Sequence, residues 1–244
     1  MFLCCNFACQ KKDYYMFKGH SILSMMVAGL VLALTSCTGH YKIDGVVETF
    51  GYEGRQITLI EYLPFRTTRI DSCIVNRGHF EMKGVVDSTR MVFLCKDSRP
   101  IIPIYIEKGH AKVKLLPTEM TVSGTRQNDL FYRFLKKKID CDNHYEDVSQ
   151  QHRTLVRSGA SSNITDPVQD TLRMIVAECE SMICSFMVDN YDEPAAVGIF
   201  MMLSGQPTNE IPDLIKRILD AAPDEFLHQS YVSGYIRRMG YERN

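Results

Sequence analysis

The strongest constraint on this chain is a change of hydrophobic period at Gly124. Before it, apolar and polar residues alternate in short runs bounded by turn residues; after it, apolar residues recur three and four positions apart. Alternation lays down half-buried strands and the longer spacing lays down amphipathic helices, so the two halves belong to different layers. The predicted fold class is α+β: an N-terminal antiparallel β-sandwich or barrel-like module followed by an all-α helical module. Strand-length runs cover residues 41–47, 56–62, 69–75, 79–84, 91–95, 101–106, 111–115 and 121–123. Asn76-Arg77-Gly78 between the third and fourth reads as a hairpin turn, with Gly78 supplying a positive φ.

In the second half, Leu130, Phe131, Phe134 and Leu135 predict a helix that ends at Lys136-Lys137-Lys138, where positive charge suits a C-terminus. Asp166 followed by Pro167 reads as an N-cap and first helical position. The helix it opens carries a stripe through Leu172, Ile175, Cys179, Met182, Ile183 and Phe186 as far as Tyr191. Residues 159–163 read as a flexible connection inside the helical region, and residues 194–203, 211–221 and 223–239 are shorter helical segments.

With 45% hydrophobic and 23% charged residues in 244, the chain has enough apolar mass to fold. Lys and Arg total 28 against 29 Asp and Glu, a formal charge of −1, so there is no basic excess to gather phosphates and nucleic acid is not an expected partner. Residues 22–34 are uncharged, follow Lys18 and are closed by Thr35-Ser36-Cys37. A membrane-crossing helix needs about 20 apolar residues, whereas the apolar core of a secretory leader needs about 7 to 15. Leu34-Thr35-Ser36-Cys37 resembles the lipobox of bacterial lipoproteins, which implies cleavage between Ser36 and Cys37 and acyl chains on the Cys37 thiol. Each buried methylene then adds about 0.8 kcal/mol of membrane affinity. The expected domains are residues 1–36 as a signal peptide that is removed, 37–124 as the β-sandwich-like module and 125–244 as the helical module, with translation starting at Met1 or Met16. In the lipoproteins this leader resembles, an acidic run after the lipid site often accompanies display on the cell surface; Thr38-Gly-His-Tyr-Lys-Ile-Asp44 carries none, so the resemblance implies a periplasm-facing position on the outer (or cell) membrane.

The strand-rich half holds a series of motifs: Tyr41-Lys-Ile-Asp-Gly45, Ile70-Asp-Ser-Cys-Ile-Val-Asn-Arg-Gly-His-Phe80 with Gly84, Ile106-Glu-Lys-Gly109, and Val122-Ser-Gly-Thr125 with Asn128. Over roughly residues 40–135 it resembles the domain of unknown function at the N-terminus of lipid-anchored thiol-disulfide oxidoreductases of the peroxiredoxin-like and thioredoxin-like class. In those proteins a helical linker leads to a thioredoxin-like domain with a Cys-x-x-Cys pair. No Cys-x-x-Cys occurs here, so the resemblance implies a lipid-anchored accessory or binding protein of the cell envelope without catalytic activity of its own. The alternative is a partner or truncated relative of a periplasmic thiol-disulfide oxidoreductase.

Five cysteines follow Cys37. Cys179 and Cys184 are close in sequence, but five positions on a helix turn their side chains about 140° apart, so they read as core residues and not a bridge. Cys73 and Cys95 fall on different predicted strands and can be bridged if those strands are neighbours. Cys141, His144 and His152 form a Cys/His cluster, read as a solvated helix face and not a metal site. His79, Asp71 and Ser72 have the residue types of a catalytic triad without a supporting motif and read as sheet-edge polar groups. Lys136, Lys137 and Lys138 are a solvated helix end within reach of anionic headgroups. No cofactor is expected; a protein partner in the envelope, or a small molecule held between the two modules, is.

Overall fold

In the computed structural model, the described residues are 39–48, 50–63, 66–205 and 210–243. The folded unit Gly39–Asn244 opens with eight strands: β1 (Gly39–Val47), β2 (Gln56–Leu63), β3 (Arg66–Ile74), β4 (His79–Val86), β5 (Arg90–Lys96), β6 (Arg99–Ile106), β7 (Gly109–Leu116) and β8 (Glu119–Ser123). They make two four-stranded sheets, ordered β4-β1-β7-β8 and β3-β2-β5-β6. The second sheet is antiparallel throughout, while in the first β1 runs parallel to β7, from Tyr41 opposite Gly109 to Val47 opposite Leu115.

Alternation decides which side chains go inside. On β1, Tyr41, Ile43 and Val47 are buried and His40 and Lys42 are not. Their buried neighbours come from both sheets, among them Leu59, Leu94 and Ile104 from one and Met82, Val113 and Val122 from the other, so a single apolar core lies between the layers. Gly45 is part of that packing: a Cβ there would stand 2.0 Å from the Phe80 ring, so the missing side chain is the space the ring occupies.

The expected hairpin between the third and fourth strands is corrected in one respect. The turn exists, with Arg77 at φ 51°, Gly78 at φ 72° and paired bonds between Asn76 and His79 at 2.9 and 3.0 Å. The strands on either side then part, β3 pairing with β2 and β4 with β1 in the other sheet. Buried Val75 just before the turn belongs to the inter-sheet core, so the chain turns a corner between layers here.

Six helices follow: α1 (Arg126–Arg157), α2 (Ser162–Val188), α3 (Pro194–Ser204), α4 (Asp213–Ala221), α5 (Asp224–Leu227) and α6 (Ser230–Met239). The helix expected to stop at Lys136-Lys137-Lys138 runs on to Arg157. Polar pairs one turn apart carry it, Lys138 with Asp142 at 2.6 Å and Arg153 with Ser149 at 2.7 Å. α2 begins a turn before Asp166, with Ser161 at its N-cap in extended backbone and Pro167 inside the helix. The segment 223–239 is two helices. A second apolar core gathers Leu130, Phe131, Phe134, Ile183, Ile199 and Phe226 with Tyr105 of β6, so the helices pack on the outer side of the β3-β2-β5-β6 sheet.

Candidate functional site

The lipidation and cleavage residues, Cys37 and Ser36, lie outside the described residues. What the folded unit offers is a cleft of about 490 Å³ where the helices meet that outer sheet face. β2, β5 and β6 contribute Tyr62, Met91, Phe93 and Tyr105; α3 contributes Val197 and Met201; Tyr191 comes from the turn before α3 and Tyr231 from α6. Tyr62 and Phe93 meet edge to face, centroids 5.5 Å apart, in the geometry that ring quadrupoles favour. Asp192 and Glu193 bring carboxylates to the same opening. The volume falls in the range of small-molecule sites, about 300–1,000 Å³. Arg90 lines the cleft as well and Glu193 is paired with Arg126, so the charge at the opening is mixed and the wall suits an apolar or aromatic group.

Two clamps hold this arrangement. Asn128, fully buried on α1, accepts from the Tyr105 backbone N–H at 2.9 Å and donates back to the Tyr105 carbonyl at 2.9 Å and to Thr125 Oγ1 at 2.8 Å. Since β6 is an edge strand, those two backbone groups have no strand partner on that side, and one amide side chain stands in for it. Gln127 donates its side-chain amide to Glu193 Oε2 at 2.6 Å and accepts from the Ala195 N–H at 2.9 Å, and Arg126 also pairs with Glu193. These bonds tie the start of α1 to the start of α3.

The Gln127 hydrogen bond, followed by Arg126, holds the Glu193 carboxyl below its ordinary value of 4.5 against the opposing effect of burial. A depressed folded-state value means the clamp's contribution is complete above about pH 4.5 and is lost as the pH falls through the folded value. Glu193→Gln is therefore expected to melt below the wild type at pH 7 and to converge on it as the pH is taken below 4.5 and through the folded value. A Tm gap that stayed constant over that interval would show that the carboxylate charge contributes nothing.

The cysteines behave differently from a bridge. Cys73 pairs with Ile57 and Cys95 with Thr58 on opposite sides of β2, so one strand separates them. Cys73 packs towards the inter-sheet core with Ile57, whereas Cys95 lies on the other face beside the Tyr62 hydroxyl. A Cys73–Cys95 disulfide is thereby excluded, and both thiols are free. Burial pushes the Cys73 thiol up to about 11, with Asp71 adding to it, and burial raises Cys95 as well. Cys179 and Cys184 are half-buried and free.

His79 and the pair Asp71 and Ser72 are on different sheets. His79 is exposed opposite Val46, while Asp71 accepts from the Tyr41 hydroxyl at 3.0 Å. His144 is exposed and His152 half-buried on α1, and among the described residues no three His, Cys, Asp or Glu side chains are grouped to hold a metal ion. Lys136 and Lys137 are exposed in mid-helix, and Lys138 is bound to Asp142. No described helix is long and apolar enough to cross a membrane.

Sequence reasoning had missed Gln127, Glu193 and the cleft's aromatic residues as a group. The only local signal was Glu193-Pro194 ahead of an apolar run, which marks a helix start.

Architecturally this is an eight-stranded sandwich carrying a helical cover, with a cleft where the two meet. Residues 41–131 match the family described as "Domain of unknown function (DUF4369)". No curated protein and no solved structure matches the chain. The matched residues span the sandwich and end on α1 just past Asn128, while the helices that complete the cleft follow them.

Proposed function

We propose that this protein is a lipid-anchored binding component of the cell envelope, held periplasm-facing on the outer (or cell) membrane by acyl chains on Cys37, with no catalytic step of its own. The observation that carries the reading is the coincidence of two boundaries. The lipobox-like sequence ends at Cys37, and the folded unit begins with β1 at Gly39. Removing residues 1–36 would leave every described strand intact and place the lipid directly ahead of the sandwich. The likeness of the strand-rich half to the N-terminal domain of lipid-anchored oxidoreductases points to the same compartment.

The cleft is the surface this component presents to a ligand or an envelope partner, through apolar and aromatic contact. A redox role of its own is disfavoured by the thiols themselves. The thiolate is the nucleophile, and Cys73 is held protonated far above neutral pH.

The test is Cys37→Ala against wild type, by fractionation and intact mass. Wild type is expected in the membrane fraction as an acylated chain lacking residues 1–36, and the variant unacylated and unprocessed. Several buried acyl chains make anchoring effectively all-or-none at this level of affinity. Identical, lipid-free mass and distribution for the two chains would end the proposal.

A further inference from the structure

α1 and α2 form a long antiparallel hairpin whose outer part has little to hold it. The fully buried residues of α1 all lie at or before Phe134, and those of α2 are Ile175, Ile183 and Met187. Beyond them, Val148 and Leu155 on α1 and Val168 and Leu172 on α2 are only half-buried. A helix pair with so small a shared core draws little stability from packing. Cys141 and Cys179 stand at equal sequence distances from Ala160 at the hairpin's turn. An antiparallel pair brings such positions opposite each other: Phe134 and Phe186, two turns nearer the core on the same register, meet with ring centroids 5.0 Å apart, and the two half-buried thiols are close enough for Cys141 to perturb Cys179. Cys184, five positions on, packs instead against the second core.

We infer that Cys141 and Cys179 are a disulfide-forming pair that clamps the α1–α2 hairpin, oxidised by exchange with a disulfide-bearing thiol compound or protein. The thiolate of one cysteine attacks one sulfur of the oxidant, and the oxidant's other sulfur leaves as a thiolate. The second cysteine gives up its proton and attacks the Sγ of the first in the mixed disulfide, releasing the second oxidant thiolate. One S–S bond forms as one breaks, and the two electrons and two protons lost by the protein pass to the oxidant. Burial first, and the neighbouring Cys141 thiol next, raise the Cys179 thiol well above its ordinary value. A thiol so raised is a poor nucleophile at neutral pH, so the pair is a structural clamp and not a redox catalyst. Only the source of the oxidant rests on the exported location proposed above.

Incubation of the purified full chain with oxidised glutathione, followed by intact mass and peptide mapping, tests the pair. The expected result is a loss of about 2 Da without a retained adduct, a linked Cys141–Cys179 peptide, and a Tm rise of about 5 °C or more that a reductant reverses. Cys179→Ser and Cys141→Ser should each lose both the linked peptide and the Tm rise. Cys184→Ser should still form the link. A linkage through Cys184, a persistent adduct on the wild type, or two free thiols after oxidation would overturn the pair. A chain that links in vitro yet is recovered from cells reduced at both positions counts against the exported location and leaves the pair standing.

Discussion

Asn128→Ala is expected to lower folding stability by about 3–5 kcal/mol, measured by urea denaturation at neutral pH. The side chain is fully buried and answers both backbone groups of Tyr105, so alanine leaves a buried N–H and a buried carbonyl without partners at once. Each such orphan costs about 1–3 kcal/mol, and water has no route to a residue with no exposed surface. Asn128→Asp separates the two bonds. It keeps the acceptor for the Tyr105 N–H but sets a carboxylate against the Tyr105 carbonyl, so it should be at least as damaging at neutral pH and regain part of the loss when protonated in acid. A loss under about 1 kcal/mol for the alanine variant would mean that the edge of β6 is satisfied some other way.

Gly198→Ala is expected to cost about 2–4 kcal/mol by the same measurement, a large effect for a single methyl group. Alanine ordinarily favours a helix over glycine, so propensity alone predicts a gain. Packing reverses the sign, because the added carbon would lie 2.0 Å from the Tyr105 hydroxyl and 2.9 Å from the Met91 sulfur. The Tyr105 ring is buried against α3, with its hydroxyl donating to the Ala195 carbonyl at 3.4 Å, so moving aside breaks that bond and pushes the ring into the cleft. Removing that oxygen should relieve part of the overlap. In Tyr105→Phe/Gly198→Ala the combined loss should therefore be smaller than the sum of the two single losses. Strict additivity would show that the two residues do not meet across the cleft wall as described.

How much of this was readable in the chain depends on the distance over which each feature is specified. Most strands announced themselves through alternation, which acts between residues two apart, β5 and β6 as apolar runs of strand length, and the turn at Gly78 through the need for positive φ. Alternation assigns faces but not neighbours. It therefore gave no sign that β3 and β4 would part to different sheets or that β1 would run beside β7. Nor did it reveal that Cys73 and Cys95 would be separated by β2. The extent of α1 was underestimated because a run of three lysines suits a helix end, while the side-chain pairs that continue it are weak individually. The cleft was the least legible feature. It draws Tyr62, Phe93, Val197 and Tyr231 from four separate elements, and only tertiary packing brings them together. Asn128 stood in a recognisable motif, but its task became clear only with the unpaired edge of β6 beside it.

The parallel pairing of β1 with β7 also bears on timing. β1 is the first of the described strands to be synthesised, yet it occupies an interior place in its sheet, and its register with β7 is complete only when Leu115 is available. Such distant pairing must bear the entropy of closing a long loop, which slows folding, and ribosomes deliver the chain from its N-terminal end. One edge of β1 is covered once β4 has been made, but the other stays unpaired until β7 follows, and an open strand edge of that kind can be taken by a wrong partner in the interval.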